Sequence, residues 1–167
     1  MADPARLTGG ITPRILASWR RPGTVLRGLS PMPEGALLAI LMAAMVIFLI
    51  AQAPGHARAA ALDPSVPLGG RMAGAVMAVI FMMPLIAYAV AALAGVVLRL
   101  SGWNIAPADS RLALFWALLA CAPAVLLSGL VAGLIGEGSA LIVTRAVAGL
   151  GFLFIWGAGL RALAVRT

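Results

Sequence analysis

The residues able to carry chemistry are few and scattered. His56 is the sole histidine. A Ser-His-Asp relay would have to use it, and it falls in a proline- and glycine-rich stretch that reads as a loop outside the bilayer. Cys121 is the sole cysteine, inside an apolar run. One thiol makes no internal disulfide and no CxxC redox or zinc pair, so it reads as a small buried side chain. The chain has no lysine, which excludes a glycine-rich phosphate loop with its lysine. Metal sites need several converging His, Cys or carboxylate ligands, and here these are scattered. No carboxylate falls inside an apolar run, which removes the intramembrane aspartyl and glutamate–zinc hydrolase patterns. Methionines 42, 45, 72, 77, 82 and 83 imitate a soft-metal stripe. Met82 and Met83 are adjacent and point different ways around a helix, so packing is the better account. The expectation is a protein that is not an enzyme and carries no metal or cofactor.

A handful of other residues stand out within the apolar runs. Arg145 lies about one and a half turns, roughly 8 Å, inside the last run. Its stem can snorkel to the outer headgroups or reach Glu137; a substrate or ion role is the alternative. The hydroxyls of Tyr88, Ser128 and Thr144 can bond their own helix or a neighbour. Pro84 and Pro123 deprive the carbonyls of Ile80 and Leu119 of their donors, so a bend is expected at each, as a packing kink or a hinge. Gly129 and Gly133 form a GxxxG. Ala87, Ala91 and Gly95 make a second small-residue ladder, and Gly35, Ala39 and Ala43 a third. These are faces for close helix packing, within the chain before between chains.

The elements that must hold these residues follow from composition. The chain has 167 residues, 63% hydrophobic and 10% charged, with mean hydropathy +1.08. A soluble domain covers itself with about a quarter charged residues. This excludes a soluble globule, a disordered chain and a coiled coil. The fold class is all-α: a polytopic membrane helical bundle of four transmembrane helices preceded by a short amphipathic interfacial helical segment. Residues 1–34 form the basic cytoplasmic or interfacial segment. Residues 35–167 form the transmembrane domain, with spans at about 35–53, 73–98, 112–135 and 140–163. Ala51-Gln52-Ala53 imitates a signal-peptide cleavage site, but the segment ahead of it is too long and Pro54 follows it. Residues 54–72 and 99–111 read as loops, with Asp109 or Ser110 capping the third span. Residues 136–139 read as a tight hairpin.

Ahead of the first span, Thr12-Pro13 reads as a helix start. Ile15, Leu16 and Trp19 share one face, with Arg14, Arg20 and Arg21 around the other. Pro22 ends that helix, and a second short one follows with Val25, Leu26 and Leu29 on one face and Arg27 elsewhere. Such pieces gain helicity at a bilayer surface, apolar face down and arginines on phosphates. A disordered basic tail is the alternative.

Two signals set orientation. All 12 basic residues are arginine. Four spans put Arg6, Arg14, Arg20, Arg21, Arg27, Arg99, Arg111, Arg161 and Arg166 on one side, and Arg58 and Arg71 on the other. The positive-inside rule makes the first side cytoplasmic, together with both termini. Trp19, Trp103, Trp116 and Trp156 fall toward that same side, as indoles at a headgroup boundary. Arginine without lysine, beside so much alanine and glycine, fits a GC-rich bacterial gene. The expected location is therefore the bacterial inner membrane. The expected partners are anionic headgroups and other membrane proteins or a second copy, with no nucleic acid.

Three stretches resemble the short bacterial membrane proteins of the Yip family, named for Ypt/Rab-interacting proteins. They are Ser18-Trp19-Arg20-Arg21-Pro22 with Val25-Leu26-Arg27, then Pro84-Leu85-Ile86-Ala87-Tyr88, then Arg111-Leu112-Ala113-Leu114-Phe115-Trp116-Ala117-Leu118-Leu119. The resemblance implies a multi-span helical membrane protein with no catalytic residue. The Asp-Leu-Tyr-Gly-Pro motif of the eukaryotic members is missing, and those members show five spans where four are read here. A GTPase partner is therefore not implied. The leading expectation is a small accessory, assembly or partner-binding subunit, with Trp19, Arg20 and Arg21 at the contact surface and Arg27 with them at the membrane interface. The competing one is a component of a small-solute or proton transporter or channel, with Pro84, Pro123, Tyr88 and Arg145 along the path.

Overall fold

The computed structural model describes residues 10–166; Arg6 lies outside the described residues. Two short helices come first, α1 (Ile11–Ser18) and α2 (Pro22–Leu29). α1 starts from Gly10, slightly ahead of the expected Thr12-Pro13. Between them Arg21 sits at φ −140°, ψ 61°, off the α region as the following proline requires. Pro22 then opens α2, where its missing N–H has no helical partner to lose.

α3 (Glu34–Leu62) has 29 residues and is about 43 Å long. The expected span ended at residue 53, but the helix continues through Pro54. That proline forfeits the bond to the carbonyl of Ile50, and the alanine-rich stretch Ala57 to Leu62 has high helix propensity. The expected loop at 54–72 therefore contracts to a turn. Asp63 accepts from the Ser65 backbone N–H at 3.1 Å and pairs with Arg71 at 3.4 Å. Its carboxyl is held below the usual range, first by the Ser65 hydrogen bonds and then by Arg71. This tie is present at neutral pH and is lost only as pH falls through that lowered value.

α4 (Leu68–Val76), a π-helical turn (Met77–Met82) and α5 (Met83–Leu100) make one 33-residue rod. The wider turn falls just ahead of Pro84, where a bend is expected. The expected third span is broken into α6 (Pro107–Ala120) and α7 (Ala122–Leu134), inclined at 42° about Cys121. Pro123 is the second residue of α7. α8 (Ser139–Leu163) follows a turn in which Gly136 has φ +93°. Past α8, Val165–Arg166 (β2) pairs antiparallel with Trp103–Asn104 (β1), placing Trp103 opposite Arg166. Three helical stretches are long and apolar enough to cross a membrane: α3, the α4–α5 rod and α8. The bent α6–α7 pair is a fourth by combined length, as a broken span or a re-entrant loop.

Side-chain contacts give the helix directions. Ala91 and Tyr88 of α5 meet Ser110 and Phe115 of α6, so these two are antiparallel. Gly159 and Gly151 of α8 face Ala113 and, through Trp19, Ala120 of α6, again antiparallel. Ala51, Pro54 and Arg58 of α3 face Gly129, Gly133 and Gly136, so α3 and α7 run parallel.

α6 occupies the centre. From Leu112 to Ala122 every residue except Leu118 is buried, and a helix apolar all round needs neighbours all round. α3, α5 and α8 supply three sides; α1 and α2 close the fourth. The N-terminal pair thus turns its apolar face to protein: Val25 and Leu26 are buried, and Leu26 lies against Gly159. Two indoles tie the pair down. Trp116 Nε1 donates to Ser18 Oγ at 2.8 Å, and Ser18 Oγ donates to the carbonyl of Arg14 at 2.8 Å. Trp19 Nε1 donates to the carbonyl of Ala120 at 2.9 Å, in the last turn of α6, where helix carbonyls lack helical donors. The headgroup position expected for Trp116 is corrected accordingly: its side chain is 2% exposed and its polar atom is spent inside the bundle.

Replacing Trp116 by Phe keeps the ring and removes the donor, with an expected cost of about 1–2 kcal/mol. Trp116→Ala also opens a cavity and should cost about 3–5 kcal/mol. Thermal unfolding of the detergent-solubilised protein checks the order wild type, Phe, Ala.

Candidate functional site

The directions above sort the polar residues onto two ends of the bundle. One end carries the starts of α3 and α6 and the finishes of α5 and α8. There Arg20, Arg21 and Arg27 are exposed, and Arg99, Arg161 and Arg166 lie on the same end. Arg111 pairs with Glu34 and lies 6.0 Å from the Tyr88 ring centroid. Asp109 and Ser110 do not cap α6, whose cap residue Ala106 has no side-chain bond. They cross-link instead. Ser30 Oγ donates to Asp109 at 2.6 Å, and Ser110 Oγ donates to the carbonyl of Ala91 at 2.6 Å. A surface recess of about 610 Å³ is lined by Leu16, Ala17, Trp19, Arg20 and Arg21. Trp19 is half-buried, its ring wedged against Gly151, where a methyl group would overlap it. Trp103 and Trp156 are also half-buried. Trp156 stacks on Phe152 at 5.6 Å, and its indole nitrogen is buried with no partner among the described residues.

At the other end a cavity of about 630 Å³ opens between α3, α7 and α8. Gln52, His56 and Arg58 come from α3, Ser128 from α7, Glu137 from the turn and Arg145 from α8. Arg58 donates through one nitrogen to the carbonyls of Gly133 and Leu134, each at 3.4 Å, a cation on the orphan carbonyls of a helix end. Gly136 lies so close to that guanidinium that a Cβ would come within 2.7 Å of Arg58 Nε. Arg145 and Glu137 line the same cavity but, among the described residues, form no ion pair. Of the two expected courses for the Arg145 stem, the one reaching Glu137 is therefore not taken. Ser128 and Thr144 bond carbonyls of their own helices.

Of the residues lining this cavity, the sequence singles out Arg145 as a functional candidate, and Gly129 and Ser128 only as packing or self-bonded groups. His56 is dismissed there as a loop residue; continuation of α3 through Pro54 turns it, with Gln52 one helical turn earlier, onto the cavity. The available signal was the spacing of four between Gln52 and His56. Tyr88 lines a different, smaller space beside Arg99 and Arg111, about 230 Å³. Pro123 is exposed and Pro84 half-buried; neither lines any of these three cavities. Gly129 and Gly133 form the floor contact of the α3–α7 crossing, against Ala51 and Pro54. Among the described residues no group of three His, Cys, Asp or Glu side chains converges.

No family model, curated protein or solved structure matches the chain, so the Yip resemblance stands on its three short stretches alone.

A methyl group at Gly129 would collide with the carbonyl of Ala51, which is backbone and cannot swing aside. Gly129→Ala should separate α3 from α7 and destabilise by about 1–3 kcal/mol. Gly149 has nothing within 4 Å of an added Cβ, so Gly149→Ala should be neutral or stabilising by up to about 1 kcal/mol. Paired thermal melts separate the two.

Proposed function

We propose that this chain is a four-pass helical protein of a bacterial cytoplasmic membrane, with both termini on the cytoplasmic side. It acts as an accessory or assembly subunit that binds anionic headgroups and partner membrane proteins, and it has no catalytic chemistry of its own. The observation that carries this reading is the corner between α1 and α2. Trp19 is locked into the bundle while Arg20 and Arg21 beside it stay exposed over a recess. A basic, half-apolar recess on a rigid mount fits a phosphate with its acyl-glycerol neighbour, each arginine near an anionic surface adding about 1 kcal/mol.

Arg27, Arg99, Arg161 and Arg166 on the same end support that orientation. The alternating directions of α5, α6 and α8, with α3 parallel to α7, support an even number of crossings. The exposed apolar side chains of α3, α5 and α8, including Ile50, Leu93 and Leu150, suit acyl chains. The transporter reading draws less from the geometry, because Tyr88 and Arg145 line separate cavities.

Two measurements test this. In a Cys121→Ala background, Glu137→Cys should react with an impermeant maleimide on intact spheroplasts, and Ala164→Cys only after permeabilisation. Labelling of both on intact cells defeats the topology. Arg20→Gln with Arg21→Gln should weaken retention of phosphatidylglycerol on the purified protein by roughly 30-fold, followed by native mass spectrometry, and should lower recovery of co-purifying membrane proteins. Unchanged retention and recovery defeat the role of the corner.

A further inference from the structure

The cavity between α3, α7 and α8 has a composition that packing does not require. Its walls are small and apolar at Ala51, Val125 and Ala132, yet Arg58 and Arg145 both reach it against one carboxylate, Glu137. Arg145 is exposed and has no hydrogen bond or ion pair among the described residues. Arg58 commits one nitrogen to α7, and a guanidinium has five N–H donors. His56 Nε2 is buried and unpartnered among the described residues. The buried His56 nitrogen is costly to leave unpaired, and an anion with several acceptor oxygens would meet it and the spare guanidinium donors together.

Depth selects the anion. This step rests on the membrane-spanning reading above. About 20 residues from Glu34 cover roughly 30 Å of hydrocarbon and end near Ala53. His56 and Arg58 then stand just beyond the apolar slab. Counting back along α8 from Leu163 places the Arg145 backbone about 27 Å away, still within the slab, and its long stem carries the guanidinium out to the same boundary. That is the level of headgroup phosphates, and guanidinium groups bind phosphate oxygens in bidentate pairs.

We propose that this cavity is a second ligand site, at the end of the bundle opposite Arg20 and Arg21, which binds the phosphate of an amphiphile headgroup between Arg58 and Arg145. His56 donates to or accepts from the same headgroup, and the wall of Ala51, Val125 and Ala132 receives its glycerol and first acyl carbons.

The test titrates three probes into the full-length protein in a non-ionic detergent: dioctanoyl phosphatidylglycerol, glycerol phosphate and dioctanoylglycerol. The expected result is saturable binding of the phospholipid, weakened about 10-fold or more by Arg145→Gln and unaffected by Arg71→Gln, an arginine at the same end that is paired with Asp63. Glycerol phosphate binding with the same dependence on Arg145 supports the site and makes its source a soluble phosphate. Equal binding of dioctanoylglycerol, or phospholipid affinity unchanged in both Arg145→Gln and Arg58→Gln, overturns it. Arg58→Gln loosens the end of α7; Arg145→Gln removes no bond among the described residues, so a melting temperature equal to wild type shows that its effect is local. A signal lost in Arg20→Gln/Arg21→Gln and kept in Arg145→Gln belongs to the opposite end, and overturns this site while leaving that one. Spheroplast labelling fails or succeeds independently of binding in detergent, so the topology and this site can fall separately.

Discussion

An apolar helix cannot be left half covered by protein when its own polar atoms point inward. α6 sets that constraint. Its residues from Leu112 onward are buried almost without interruption, and they include an indole N–H that needs an acceptor. The acceptor comes from nearly a hundred positions earlier, the hydroxyl of Ser18, itself tied to the carbonyl of Arg14. In return Trp19 gives its N–H to the carbonyl of Ala120, the last residue of α6, where helix carbonyls lack helical donors. Each of these bonds would expose a stranded polar atom if broken. The two N-terminal helices are thereby part of the bundle, although neither is long enough to persist alone.

That clamp has a consequence for charge. With Val25, Leu26 and Trp19 turned to protein, the arginines between and after them have only the outside to face. The same end gathers the arginines that finish α5 and α8. The opposite end is nearly neutral in its turn, where Asp63 and Arg71 satisfy each other, and cationic in its cavity. Small residues make that cavity possible. Gly129 and Gly133 let α7 approach α3 until Ala51 and Pro54 block further approach, and the cavity opens beside this contact, between the pair and α8.

Much of the architecture was legible in the chain. Four apolar runs separated by charged or proline-bearing segments follow from helix rise and hydrocarbon thickness, and the break ahead of Pro123 follows from a missing donor; at Pro84 the expected bend is met instead by a wider helical turn within a continuous rod. The start of α2 at Pro22 was legible for the same reason. Local rules fail at two places where context outweighs them. Pro54 reads as a helix end, but α3 runs through it because the alanines beyond favour continuation. Asp109 and Ser110 satisfy the rule for caps, but their partners are Ser30, just past α2, and Ala91 of α5.

The sequence by itself determined class: a helical chain with stretches long and apolar enough to cross a membrane, its arginines gathered mostly outside them. These are sums over composition and spacing, and need no knowledge of which helix touches which. Tertiary structure alone decided which faces became interior. It buried Trp116 and spent its N–H on Ser18, turned the N-terminal helices onto protein, and brought His56, Arg58 and Arg145 to one cavity from helices some ninety residues apart. Apolar periodicity cannot foresee these outcomes, because a lipid-facing stripe and a protein-facing stripe have the same composition; only the shape of the neighbour, glycine against ring or glycine against carbonyl, tells them apart.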